Sequence, residues 1–290
     1  MRWQRGTSDA DIEDRRASGG GFRRFPGGGG LRLGLGGLIV VGILSLVFKQ
    51  NFFALLGDLP MDTSMTQTEA PGAPPATTAE EDERFEFVKF VLNDVQDTWT
   101  SVLPKETNSQ YPRATLVVFR GAVESACGFA ESASGPFYCP GDNKVYIDLS
   151  FYDELHSRFG ASGDFAQAYV IAHEIGHHIQ NVLGIDNQMR RAQQQRPDLA
   201  NQLSVRLELQ ADCLAGVWGH STAQRNLLEQ GDIEEGLNAA AAIGDDRIQS
   251  RSGRGVQPDK FTHGSSAQRL EWFRRGLESG RMDACDTFGR

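Results

Sequence analysis

In the stretch AYVIAHEIGHHIQNVLG, His173 and His177 stand four residues apart, with Glu174 beside the first. On an α-helix, positions i and i+4 share a face. Two imidazoles so placed can grip one zinc ion, with the glutamate next to the water the ion activates. The site needs a third protein ligand. The continuation H-x-x-G-x-x-H is absent, because Gln180 and Leu183 occupy the two diagnostic places. A carboxylate from a later helix is the other solution. The segment RLELQADCLAG offers Glu208, with Asp212 one turn on and on the same face. Glu208 is the expected third ligand, and Asp212 is expected to accept the outer N–H of a liganding histidine and so fix its ring.

The remaining histidines are weighed by their surroundings. His178 lies about 100° round the helix from His177 and reads as a satisfied polar residue or a pocket wall. His156 and His220 have no motif around them and read as structural. His263, in FTHGSSAQR, is a candidate to stabilise an oxyanion, with Arg269 as a weaker companion.

These residues need elements to hold them. Apolar residues from Phe85 to Trp99 recur at helical spacing. ATLVVF (114–119) and KVYIDL (144–149) read as strands, with a Gly/Pro-punctuated loop between them. The zinc-site helix is expected from Asp164, with Gln167 completing a capping box, to Gly184. A helix is expected over 204–219, and further helices at 221–230, 232–249 and 265–279. Gly176 in the first helix, and Ala211, Ala215, Gly216 and Gly219 in the second, suit a close approach of the two.

Residues 31–56 are apolar enough to span a bilayer. Residues 1–30 are Gly- and Arg-rich without periodicity and read as a disordered cytoplasmic tail. Residues 57–84, rich in Pro, Thr and acid, read as a linker. Residues 85–290 form the folded domain. Seven arginines precede residues 33–48, the uncharged part of the apolar run, and only Lys49 follows it closely. The expectation is therefore a single-pass membrane protein with its N-terminus in the cytoplasm and the residues after the span outside. The lipid bilayer is the expected partner of residues 31–56. A net charge of -9 excludes a basic face for nucleic acid. Four cysteines allow three pairings. Cys127–Cys139 would close a short loop, and Cys213–Cys285 would tie the C-terminal tail to the body. No C-x-x-C pair favours a cysteine zinc site.

The blocks SASGPFYCP, KVYIDLSFYDEL, GDFAQAYVIAHEIGHHIQ, SVRLELQADCLAGVW, GDIEEGLNAAAAIGDDRIQ and FTHGSSAQRLEWF, in this order, resemble the "putative neutral zinc metallopeptidase" family of bacterial membrane proteins. The pairing of H-E-x-x-H with a later E-x-x-x-D is also similar, more distantly, to gluzincins. The matched metal and base positions show no departure. The combined expectation is an α+β, zincin-like domain, mostly helical with a small sheet, behind a single transmembrane helix; the resemblance implies the bacterial cytoplasmic (inner) membrane, with the domain in the periplasm. It would hold one Zn2+ per chain through His173, His177 and Glu208. It would cleave peptide or protein substrates by a zinc-activated water, with Glu174 as general base and His263 at the oxyanion. Strand 144–149 is the expected edge strand for an extended peptide. The alternatives are a catalytically silent extracytoplasmic scaffold and a zinc amidase acting on a non-peptide substrate.

Overall fold

Long helices frame a small sheet in the computed structural model, which describes residues 1–18, 77–251, 253 and 255–289. The expected span at 31–56 lies outside these residues, as do 19–30 of the expected tail and 57–76 of the expected linker. Among the described residues, no helix is long and apolar enough to cross a membrane.

The elements, in chain order, begin with β1 (Ile12–Asp14) and α1 (Ala79–Thr107). Strands β2 (Thr115–Phe119), β3 (Ala122–Ser125), β4 (Gly128–Glu131), β5 (Phe137–Cys139) and β6 (Lys144–Asp148) come next. Helices α2 (Phe151–Ser157), α3 (Asp164–Val182), α4 (Ile185–Gln195), α5 (Ala200–Gln224), α6 (Asp232–Ala242), α7 (Asp245–Arg251) and α8 (Ser266–Ser279) complete the fold. The architecture is α+β and mostly helical, as the sequence implied.

Helix α1 starts inside the stretch that reads as linker. The Thr78 hydroxyl accepts from the backbone N–H of Glu81, and Glu80, Glu81 and Asp82 occupy the first turn. Acids there satisfy orphan N–H groups and favour the positive end of the helix. Val88, Val91, Leu92, Val95 and Trp99 bury one face of this helix completely. The single helix expected at 232–249 is two, over Asp232–Ala242 and Asp245–Arg251. Gly244 separates them, and a Cβ there would lie 2.4 Å from the Ser266 backbone nitrogen. The expected 221–230 helix is the end of α5 and the turn beyond it.

The four-stranded sheet has the order β1-β2-β6-β5. Strands β1, β2 and β6 are parallel, and β5 is antiparallel to β6. Side chains alternate between the two faces. Leu116, Val118, Val145 and Ile147 join the helical core, while Val117, Phe119 and Tyr146 pack with Val123 and Cys139 on the other side. The sheet corrects the expected edge. Strand β6 is internal, and β5 is the outer strand beside it. A disulfide, Cys127–Cys139, ties β5 to the β3–β4 hairpin. Asn143 turns the chain back at φ 58°, which Asn tolerates better than most residues.

The expected tail differs most. Residues 1–18 belong to the same unit as the body. Ile12 pairs with Leu116, and the Arg2 backbone N–H donates to the Leu227 carbonyl. Trp3 meets Phe87 edge-on at 5.5 Å. Arg16 is buried between Asp14 and Asp82 with its guanidinium over the Phe85 ring. The α-amino group of Met1 pairs with Asp164 and Asp232. A three-residue strand with one apolar side chain has no readable periodicity, so this docking had no sequence signal.

Candidate active site

Helix α3 carries the H-E-x-x-H residues. Its N-cap is Gly163 at φ 107°, with no side-chain cap, so the expected capping box is not formed. The Glu235 carboxylate instead accepts from the Phe165 N–H, and Asp164 is used by Met1. Helix α3 approaches α5 closely at Gly176, where a Cβ would lie 3.0 Å from both Cα and O of Ala211. That contact sets Glu208 against the two histidines. Gly216 and Gly219 serve a different neighbour. They face α8, where a Cβ on Gly216 would lie 2.2 Å from the Phe273 carbonyl oxygen. The second disulfide, Cys213–Cys285, fastens the C-terminal segment to α5.

His173 Nε2 lies 3.2 Å from Glu208 Oε2, and His177 Nε2 lies 3.5 Å from Glu208 Oε1. The two rings meet edge-on with centroids 4.8 Å apart. One donor atom from each of the three residues falls within 4.8 Å of the others. Two imidazole nitrogens and a carboxylate oxygen, from two helices, are the donor set and the number of protein ligands that a catalytic zinc site uses. The residues therefore fit the metal. A second acidic trio, Asp164, Asp232 and Glu235, is answered by the Met1 ammonium instead.

Behind His173 lies a buried polar network. Asp212, fully buried, accepts from His173 Nδ1 at 2.8 Å. Arg269 donates to both Asp212 oxygens at 2.9 Å, and the Tyr169 hydroxyl donates to Asp212 and accepts from Arg269. Arg269 is 2% exposed. Its guanidinium is thus spent on Asp212 rather than offered to an oxyanion.

The titrations follow from this packing. Burial would raise Asp212, but Arg269 and then His173 hold it below the usual carboxylate range. Burial would likewise raise Glu208, and the two histidines outweigh that and hold it well below. Burial would lower His173; Asp212 and Glu208 reverse the sign and lift it to about 10. Where protons rather than a metal sit among these ligands, they are held tightly.

Glu174 is 8% exposed and lines the cleft, with no hydrogen bond to its carboxylate among the described residues. The cleft measures about 590 Å³ and is also lined by Phe137 and Tyr138 of β5 and by Phe151 and Phe159. His263 lines it too. Asp245 holds that residue, accepting from the ring Nδ1 at 3.2 Å and from the backbone N–H groups of Thr262, His263 and Gly264. The Asp245 bond raises the His263 pKa. Asp245 and Tyr169 escaped the sequence reading, because nothing in their spacing marks them.

The other histidines lie away from the metal trio. His178 is fully buried between the Pro112 carbonyl and the Tyr138 hydroxyl, and burial lowers its pKa. It fastens α3 to β5. His220 faces the Leu277 carbonyl, and His156 sits in the last turn of α2.

The family model described as "Putative neutral zinc metallopeptidase" matches residues 1–288. The chain is 47% identical over 294 residues to "Uncharacterized protein YpfJ" of Escherichia coli, covering all of this chain and 99% of that protein. It is 44% identical over 207 residues to "Uncharacterized protein Mb2605" of Mycobacterium bovis and to "Uncharacterized protein Rv2575" of Mycobacterium tuberculosis, covering 68% of each chain. No solved structure matches it.

Proposed function

The chain belongs to the "Putative neutral zinc metallopeptidase" family, and from that premise we propose that it is a zinc-dependent peptidase that hydrolyses peptide bonds in extended substrates. The observation that carries the reading is the convergence of His173, His177 and Glu208 on one point beside Glu174 in an open cleft. When bound there, zinc supplies a Lewis acid that acidifies water and polarises a carbonyl.

The protein's own residues do the rest. The Glu174 carboxylate faces the cleft and takes the proton of the attacking water, then returns it to the leaving amine. Asp212 holds His173 in one orientation, and Arg269 and Tyr169 hold Asp212. The ring of His263, braced by Asp245, faces the cleft and stabilises the negative charge that develops on the carbonyl oxygen. Strand β5 has its outer edge free among the described residues and lines the cleft, so an extended peptide can add to it as a further antiparallel strand. Two disulfides favour an oxidising compartment for the body. The apolar run at 31–56 supports attachment to a membrane.

The test is zinc content and peptide hydrolysis by the full chain beside Glu174→Gln and Glu208→Ala. Wild type is expected to hold one zinc and cleave. Glu174→Gln should keep the zinc and lose cleavage, and Glu208→Ala should lose both. Full cleavage by Glu174→Gln would refute the mechanism.

A further inference from the structure

The two histidine ligands are braced differently. His173 leans on the ionised Asp212. His177 leans on a neutral amide: its Nδ1 lies 2.9 Å from Gln180 Oε1. Gln180 is fully buried, and its amide nitrogen donates twice, to the Leu207 carbonyl at 2.7 Å and to Gln210 Oε1 at 3.1 Å. The Gln210 amide nitrogen donates in turn to the Cys285 carbonyl at 3.1 Å. Cys285 is the residue that the second disulfide fastens to Cys213 of α5.

The direction of this chain is forced. A backbone carbonyl can only accept. The Cys285 carbonyl therefore fixes the Gln210 nitrogen, which turns the Gln210 oxygen towards Gln180. That oxygen and the Leu207 carbonyl both require the Gln180 nitrogen, which leaves the Gln180 oxygen facing His177. An oxygen there needs a donor, so the proton of neutral His177 sits on Nδ1. Its Nε2, the atom 3.5 Å from Glu208, is left with the free lone pair that a metal requires.

We infer that Gln180 and Gln210 are positioning residues for the metal site, and that the Cys213–Cys285 disulfide is the outer anchor of the relay that sets the His177 tautomer. This rests on the zinc reading above, and nothing in it involves the chemistry of hydrolysis. Gln180 stands at the place of the glycine in the H-x-x-G-x-x-H pattern, and Leu183 at that of the third histidine. Here Gln180 acts on the metal through His177 instead.

The experiment measures zinc affinity of the full chain by competition with a chromogenic chelator, in wild type, Gln180→Met, Gln210→Met and the double variant. Thermal unfolding of the metal-free forms is measured alongside. Gln180→Met removes the acceptor and is expected to weaken zinc binding about 10- to 100-fold, the usual effect of losing such a partner. Gln210→Met removes one of the two acceptors that hold the Gln180 amide, leaving the Leu207 carbonyl alone to orient it, and should weaken zinc binding several-fold. Since both act through one ring, the double variant should bind no more weakly than Gln180→Met alone. Reduction of the Cys213–Cys285 disulfide should weaken binding in wild type and leave Gln180→Met unchanged. A merely structural role predicts lower unfolding temperatures with zinc affinity unchanged, or losses that multiply in the double variant; either would overturn the inference. Absence of zinc binding by wild type would refute the metal reading, and this inference with it. Full zinc affinity in Gln180→Met would refute this inference alone.

Discussion

Asp212→Ala separates stability from metal binding. In the native protein Asp212 accepts from three groups: the Arg269 guanidinium, the Tyr169 hydroxyl and His173 Nδ1. Truncation strands the Arg269 guanidinium and leaves the Tyr169 hydroxyl and His173 Nδ1 without their acceptor, all of them buried. An uncompensated buried charge costs about 3–5 kcal/mol, against total stabilities of about 5–15 kcal/mol for a domain. Adding Arg269→Met removes the stranded guanidinium and leaves the Tyr169 hydroxyl and the His173 ring, which still has Glu208 at its Nε2, at about 1–3 kcal/mol for each unmet donor. The double variant should therefore be more stable than Asp212→Ala, although it carries one more substitution. In the wild-type background the same Arg269→Met change should destabilise, because it strands the Asp212 carboxylate. Zinc affinity should not follow this pattern. Asp212→Ala and the double variant should both lose about 10- to 100-fold, while Arg269→Met alone keeps the carboxylate on His173 and most of the affinity. Urea unfolding of the metal-free chain and zinc competition read the two quantities separately. If Arg269→Met further destabilises the Asp212→Ala protein, the stranded guanidinium is not what costs that variant its stability. If it restores zinc affinity, Asp212 does not act through His173.

Further outcomes follow from the same geometry. Because His173 in the metal-free site is raised to about 10, zinc must displace a proton at neutral pH, and affinity measured by titration should climb as pH rises from about 6 towards 9. The metal-free protein should move the other way over that window. The stabilisation from a raised histidine is complete below its unfolded value of about 6.5 and fades as pH approaches the folded value, so denaturant midpoints should fall. His263→Ala should keep zinc and lower kcat about 10²–10³-fold, and Asp245→Ala should lower it by less, since it disturbs His263 only indirectly; unchanged kcat in both would remove His263 from the reaction. In Gly276→Ala the new Cβ would lie 1.9 Å from the Cys213 carbonyl oxygen. Forcing α8 off α5 should cost about 1–3 kcal/mol or more, seen as a lower unfolding temperature with the zinc stoichiometry unchanged.

What the sequence made legible was whatever repeats at a fixed local period. The i, i+4 spacing of His173 and His177, the helical stripe below them, and the matching Glu208 and Asp212 all sit within single helices, where one element fixes relative placement. The two cysteine pairings were legible from loop length and the position of the tail. Contacts that the local period does not encode were not legible. Arg269 reads as a weaker companion of His263 at the oxyanion, yet it is buried against Asp212, because only the packing of α8 on α5 brings it there. Strand β6 alternates cleanly and so suggests an edge, but alternation reports two different faces and not which strand is outermost. Docking of residues 1–18 depends on a three-residue pairing and a scatter of ion pairs. None of these carries a signal along the chain.

The docked amino-terminal residues bear on the order in which the molecule is made. Met1 pairs with Asp232, 231 residues further on, and β1 aligns beside β2, about a hundred residues away. At roughly 5–20 residues per second, translation must run for on the order of 10–50 s before the last of these partners emerges. Met1, made first, is thus among the last residues to complete its contacts. Helix α3 and helix α5 are both made, and can meet, before Asp232 emerges to complete the Met1 pairing. Contacts of such long sequence separation slow folding, so lesions confined to residues 1–18 should delay maturation of the chain well before they alter the site itself.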